Sequence, residues 1–542
     1  MTSLAGYCEK YAALLQGGKG DSQAPQLELL HEIYQLLKTV PPEEVKAAQP
    51  GLEKSLTTAV VQGPAQPVRR LISSCFGYLY ARGARQTLYT TVGTFMGWLN
   101  NKSSPLKNEL AKQATCTVLG ELSEMHGGAM VSLCHETINL MVKNLKGDLP
   151  LRTVSAAALT AALAGSGGIP PAMQQEALKG LRATLEERRA LPELRVGCLQ
   201  ALPALARAAE GLWQADMVEQ LTALCVKSLD DPLQTVRAAA ATALGDLSLA
   251  ALEAPYKVGK KEAGKEPPKP APSSGGIKLG GFKFGGSSKT ESVSAAPAAA
   301  GKVAGSAIEA VTSALMAPFA RAGATKEVRA GVTRAAVRLL RSMKRPLRER
   351  YAGLLREALL GGLAQSQEKR PPHAYITHAL RAGLGETLSE RGQVDMATAL
   401  ARAATTKASS EAVVLCALKE LAQLLQQLRE VAAEARDLLM GGERPLSSLQ
   451  RHPSRAVRLA ACHCLFALAL AFPSRLAPLL EHALQQLMGA NAIAEEQPKE
   501  REKALDAVQA HAHAAATLIS AMPETPFGCP NALLVGALSA AA

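Results

Sequence analysis

Aromatic residues are scarce in this 542-residue chain, 4% of the total with only two Trp, and alternating runs of β-branched side chains are almost absent. Strands draw on both, so the composition argues against a sheet and leaves helix as the building material. Cysteine pairs at short spacing are missing as well. The ten cysteines (Cys8, Cys75, Cys116, Cys134, Cys198, Cys225, Cys416, Cys462, Cys464 and Cys529) are scattered and no CxxC occurs, which points to buried, reduced thiols rather than disulfides or a zinc site. Cys462-His463-Cys464 does not change this, because i and i+2 on a helix point in different directions. His511 and His513 fail for the same reason, and His373 with His378 has no acid nearby to complete a site. No GxSxG, HExxH or GxxxxGK[ST] is present, so neither an enzyme nor a bound cofactor or metal is expected. Long apolar runs are lacking too. The apolar run Leu459 to Phe472 is 14 residues, short of the roughly 20 that span a bilayer. MTSLAGYCEKYAALLQ carries acid and base where a signal peptide needs an apolar core. A soluble cytoplasmic chain is the expectation.

What the chain does have is a period. Hydrophobic residues make up 47%, mainly Ala and Leu, and a branched or long apolar residue followed by a basic one recurs ahead of an alanine-rich helix. Leu151-Arg152, Leu194-Arg195 and Val236-Arg237 stand 43 and 42 residues apart, and Val328-Arg329 and Val457-Arg458 are separated by 129, three further units. The clearest copy is Asp231-Pro232-Leu233-Gln234-Thr235-Val236-Arg237. There Asp231 is placed to cap a helix and Pro232 to occupy its first turn. Val236, Ala239, Ala240, Ala243, Leu244 and Leu247 then form one apolar stripe, and Val457, Ala460, Ala461, Cys464, Leu465 and Leu468 repeat it. A lone helical hairpin leaves such a stripe uncovered, so neighbouring units must cover one another. The predicted fold is an all-α solenoid of about ten helical hairpin repeats, the first at QLELLHEIYQLLKTV.

One break in phase needs an insertion. Val236 to Val328 is 92 residues, one unit plus about 50, and the sequence between is rich in Lys, Pro, Gly, Ser and Ala. Such composition cannot bury enough apolar surface to offset its ordering entropy. The predicted organisation is therefore an N-terminal array over 1–252, a disordered insertion over 253–303, and a second array over 304–542. The second is expected to continue past the end, since NALLVGALSAAA stops inside an apolar pattern with no polar capping unit.

The D-P-x-x-x-V-R-x-x-A-x-x-A-L segment resembles the second helix of HEAT repeats. GGIKLGGFKFGGSS, KEVRAGVTRAAVRLL, SSEAVVLCALKELAQLLQQL and HPSRAVRLAACHCLFALALAFPSRLAPLLEHALQQL are similar, in order and spacing, to the N-terminal part of the HEAT-repeat-containing protein 5 family. That resemblance implies a large solenoid working in membrane traffic. It would associate with the clathrin adaptor complex and coat-accessory proteins at the trans-Golgi network and on endosomal and endocytic vesicles, supporting endosome-to-Golgi retrieval and protein localisation.

The formal net charge is +13 and the pI about 9.2, which fits an acidic partner. The densest basic patch includes Arg334, Arg338, Arg341, Lys344 and Arg345, the first three at i, i+4 and i+7. It is either a solvated helix face or a contact for acidic peptides or a peripheral anionic membrane surface. In the insertion, Ile277, Leu279, Phe282 and Phe284 stand among glycines and lysines, as a plain spacer or a short motif for a partner groove. Nucleic acid is not expected, because aromatics do not interleave the basic residues. A HEAT-type nuclear transport or chromatin-associated protein is the alternative function, and its usual acidic inner turns fit poorly with this pI.

Overall fold

The computed structural model describes residues 3–263 and 296–541, apart from 18–22, 102–103, 188, 210–214, 322, 366–372, 382–386, 442–444, 497–500, 527 and 529. The chain is all-helical. Among the described residues there is no strand, only an isolated bridge between Ile169 and Ala209. Two compact units divide at Ala304/Gly305, inside one helix.

In the first unit the helices run α1 (Leu4–Gln16), α2 (Gln23–Thr39), α3 (Pro42–Gln62), α4 (Gln66–Arg82), α5 (Gln86–Asn100), α6 (Glu109–His126), α7 (Val131–Asn144), α8 (Leu149–Gly165), α9 (Pro171–Glu186), α10 (Pro192–Ala208), α11 (Ala215–Ser228) and α12 (Gln234–Ala263). Each odd-numbered helix packs on the even-numbered one after it, and α2, α4, α6, α8, α10 and α12 each pack on the next in a row. This is the architecture of an α-solenoid. In the second unit come α13 (Ala296–Ala320), α14 (Lys326–Ser342), α15 (Arg345–Gln365), α16 (His373–Leu380), α17 (Glu390–Thr405), α18 (Glu411–Leu428), α19 (Ala433–Gly441), α20 (Leu446–Leu449), α21 (Arg455–Ala471), α22 (Leu476–Glu496), α23 (Arg501–Ala521) and α24 (Asn531–Ala541). Here α14, α16, α18, α21 and α23 form the row, and α19 with α20 stand where a single first helix would be. The described helices make eleven consecutive pairs and one more helix, against about ten units expected. Helix α1, whose Leu4, Cys8 and Tyr11 are buried, pairs with α2, the helix of the first expected unit.

Local chemistry starts these helices where the sequence puts a cap. Side-chain oxygens of Ser3, Asn108, Thr325 and Ser389 accept from the N–H three residues on, and prolines occupy the first turns of α3, α4, α8, α9 and α10. The two predicted stripes are buried, with Ala239 half-buried as the exception.

Three expectations are corrected. The helix after Asp231 starts at Gln234, so Asp231 and Pro232 precede it. Asp231 instead holds the turn, its Oδ1 accepting from the Leu233 N–H at 2.9 Å, because a short acceptor side chain competes for a backbone donor two residues on. The apolar-basic pair also does not keep one orientation. Val236 is buried with Arg237 half-buried, whereas Val328 is half-buried and Arg329 buried. Finally, the segment expected to be unstructured over 253–303 is helical at both ends. Helix α12 reaches Ala263 and α13 opens at Ala296, the latter in an alanine-rich run, APAAA, that favours helix. The rest of that segment, with Ile277, Leu279, Phe282 and Phe284, lies outside the described residues.

No single described helix is long and apolar enough to cross a membrane. Arg455–Ala471 with Pro473–Ile493 passes only as a pair bent by 120°, and α21 buries its apolar stripe within the repeat row.

Candidate protein-binding face

Arginines at the repeat position tie one repeat to another. Arg152 of α8 pairs with Glu187 in the turn before α10, and Arg195 of α10 pairs with Asp231 in the turn before α12. Earlier in the row, Arg69 of α4 donates to Gln113 Oε1 of α6 at 2.6 Å. Arg237 turns back on its own loop, donating to the carbonyls of Asp231 and Pro232 at 2.7 and 2.8 Å. Arg458 copies this with His452 and Pro453 at 3.0 and 3.2 Å. These guanidiniums satisfy turn carbonyls and carboxylates that would otherwise be stranded between repeats. The repeat arginines are structural parts of the array.

The basic patch is different. Arg334, Arg338 and Arg341 are exposed along α14, and so are Lys344 in the turn that follows and Arg345 at the start of α15. Further along the patch, Arg348 donates to the Met343 and Thr387 carbonyls, and Arg350 pairs with Glu309 at 2.7 Å. The row continues the theme. A helix in the row has neighbours on both flanks and a first-row helix behind, so its exposed residues share the remaining side. That side carries His378 on α16, Arg381 just beyond it, Lys419 on α18, and Arg455 and His463 on α21. Acids on these four helices are few: Glu327 and Glu411 sit in first turns, and Glu420 is 4% exposed and paired with Arg381 at 3.1 Å. Sequence reading found only the α14 portion, because the other charges are single residues on helices about forty positions apart.

Metal and thiol chemistry find no foothold among the described residues. There is no group of three His, Cys, Asp or Glu side chains able to hold an ion. The nine described cysteines are free and buried, and burial pushes their thiols up, Cys116 and Cys464 to about 12, so none is a ready nucleophile.

A polar site missed in the sequence lies at the end of the row. A cavity of about 370 Å³ opens between α22 and α23, lined by Arg451, Gln486, Ala490, Ile493 and Ala504. Behind it His511 is 1% exposed. Arg451 Nε donates to His511 Nε2 at 3.1 Å, which leaves Nδ1–H to donate to Gln450 Oε1 at 3.0 Å. This fixes a neutral imidazole. Burial first, then the charges of Arg451 and His482, push its pKa down from 6.5 to about 4. Between those values the unfolded chain binds a proton that the folded chain does not. Stability is therefore full above pH 6.5 and falls as pH drops toward 4, by about 3 kcal/mol. Acid titration of thermal melts should show this fall in the wild type and a flatter profile in His511→Gln.

No family model matches the chain. Protein SWEETIE of Arabidopsis thaliana is 24% identical over 520 residues, covering 93% of this chain and 21% of that protein, so the chain spans about a fifth of this relative's length. Among solved structures, Kap95p in its complex with Nup1 is 12% identical with a TM-score of 0.42, covering 95% of this chain and 64% of that one. Kap121p is 11% identical with a TM-score of 0.41, covering 99% and 51%. The described residues form an all-helical repeat array whose second unit presents a basic row.

Proposed function

We propose that this chain is a non-enzymatic scaffold that binds other proteins along its helical rows, in the service of membrane traffic. The observation that carries the scaffold reading is the solvent side of α14, α16, α18 and α21, a surface to which separate repeats each contribute exposed residues, with no metal-holding group among the described residues. Repeat arrays offer surfaces of this kind because each unit contributes one helix to a shared side. The traffic assignment draws on the resemblance of the quoted repeat segments to the HEAT-repeat-containing protein 5 family, which implies clathrin adaptor and coat-accessory partners at the trans-Golgi network and endosomes. Proximity labelling in cells with the tagged chain tests it. Clathrin adaptor subunits should be enriched over nuclear pore proteins, and the opposite enrichment would replace this reading with nuclear transport.

A further inference from the structure

The exposed side of the second unit's row is graded as well as basic. At its α14 edge stand Arg334, Arg338 and Arg341 at i, i+4 and i+7. Toward α21 the character turns apolar. Leu459 is 46% exposed, and Phe466 and Leu470 are half-buried one and two turns beyond His463 on the same side. Lys419 and Gln426 lie between, on α18. The first unit's row has no such grading. Its exposed or half-exposed side mixes Arg70 and Arg207 with Glu121, Glu124 and Asp246.

We propose that the face running from Arg334 on α14 to Leu459 on α21 docks an acidic segment of a partner protein, one that carries apolar side chains among its Asp and Glu residues. The inference rests on the scaffold reading above and specifies its partner's chemistry. Arginine favours carboxylates because its planar fork donates two parallel hydrogen bonds. Three arginines on successive turns of one helix space such forks about 5 to 6 Å apart, within reach of carboxylates on one short segment. The apolar end explains why a protein fits better than a lipid surface. Leu459 and the half-sunk Phe466 and Leu470 form a strip beside the charges, suited to aromatic or aliphatic side chains of the same segment. A peripheral membrane contact pairs its cations with apolar side chains that reach into the acyl boundary, whereas Phe466 and Leu470 are half-sunk in the row.

The test uses the full chain and a fluorescein-labelled 16-residue peptide of Asp and Glu interspersed with Leu and Phe, read by anisotropy. A twin peptide with Asn and Gln in place of the acids is the comparison. The acidic peptide should bind, and its affinity should fall as salt is raised. The triple variant R334Q/R338Q/R341Q should weaken binding about tenfold or more, and Leu459→Ala about threefold, an expected size for losing part of one exposed apolar contact. R70Q/R207Q, in the first unit, should leave binding unchanged. The inference is overturned if the two peptides bind alike, if the triple variant binds as the parent does, or if R70Q/R207Q loses as much. It is also overturned if the chain ignores the acidic peptide while vesicles of 30% phosphatidylserine bind it through the same arginines. Circular dichroism checks each variant's fold, and should the triple variant unfold, Leu459→Ala and the salt dependence decide. Adaptor enrichment in cells without peptide binding would sink this inference and leave the scaffold reading standing. Peptide binding without adaptor enrichment would do the reverse to the traffic assignment.

Discussion

Replacing Gly165 with alanine is expected to destabilise the first unit by about 3 to 4 kcal/mol, the upper end of what overpacking costs. Gly165 ends α8 where it meets the end of α6. A methyl group there would lie 1.9 Å from the Ser123 carbonyl oxygen and 2.6 Å from the Glu124 Cα. Both are backbone atoms, so no side-chain rotation relieves the clash and the two helices must separate. Separation is costly because this contact lies within the row: α8 is also close to α6 at Gly120, whose added Cβ would meet the Ala158 Cα at 2.9 Å, and to α10 at Gly197, whose Cβ would meet the Ala156 Cβ at 3.0 Å. Gly93 in α5 is the control. An added Cβ there meets nothing within 4 Å, and alanine should stabilise by about 0.5 to 1 kcal/mol through helix propensity. Urea unfolding of both variants, with hydrogen exchange resolved to α6, α8 and α10, measures the contrast. Gly165→Ala with an unchanged midpoint and unchanged exchange would mean that α6 and α8 are not packed this closely.

How far the sequence reveals this molecule depends on whether a feature repeats. The spacing of Leu151, Leu194 and Val236 exposes the period because each starts an even-numbered helix of one row, and every helix in the row must present the same stripe to its neighbours. Residues outside that constraint are harder to read. Helix α1 lacks the apolar-basic signature, so its pair with α2 shows only once Leu4, Cys8 and Tyr11 are seen to be buried. The start of α12 is misplaced by two residues because Asp231 is as good a turn-former as a cap, and only the hydrogen bond to Leu233 decides. Glycine contacts are invisible in one dimension, since Gly165 and Gly93 look alike until their neighbours are known. The candidate face is legible only in part for the same reason. Arg334, Arg338 and Arg341 share one helix and display a spacing, while Lys419, Arg455 and His463 become neighbours of that stripe only through the stacking of the row.

Asp231→Ala should cost about 3 kcal/mol, combining the roughly 1 kcal/mol of a lost turn cap with the penalty of a stranded, mostly buried guanidinium. The Asp231 side chain is 8% exposed and that of its partner Arg195 20%, so water can replace little of what the carboxylate provides. One carboxylate serves two purposes here: it accepts from Arg195 on α10 and from the Leu233 N–H at the entrance to α12. Asparagine keeps the second and loses the charge. Asp231→Asn should therefore lie between alanine and wild type, at about 1 to 2 kcal/mol, because a hydrogen bond to a charged group is worth more than one between neutral groups. Arg195→Met removes the charge that needs a partner while filling the space of its stem, and is expected to cost less than Asp231→Ala. Combining Arg195→Met with Asp231→Ala then closes a double-mutant cycle whose coupling should be about 1 to 3 kcal/mol. Unfolding midpoints for the four proteins supply the cycle, and exchange at the amides of α10 and α12 shows where the loss is felt. Strictly additive single effects would mean that the two repeats are held together by apolar packing alone, with the ion pair a bystander between them.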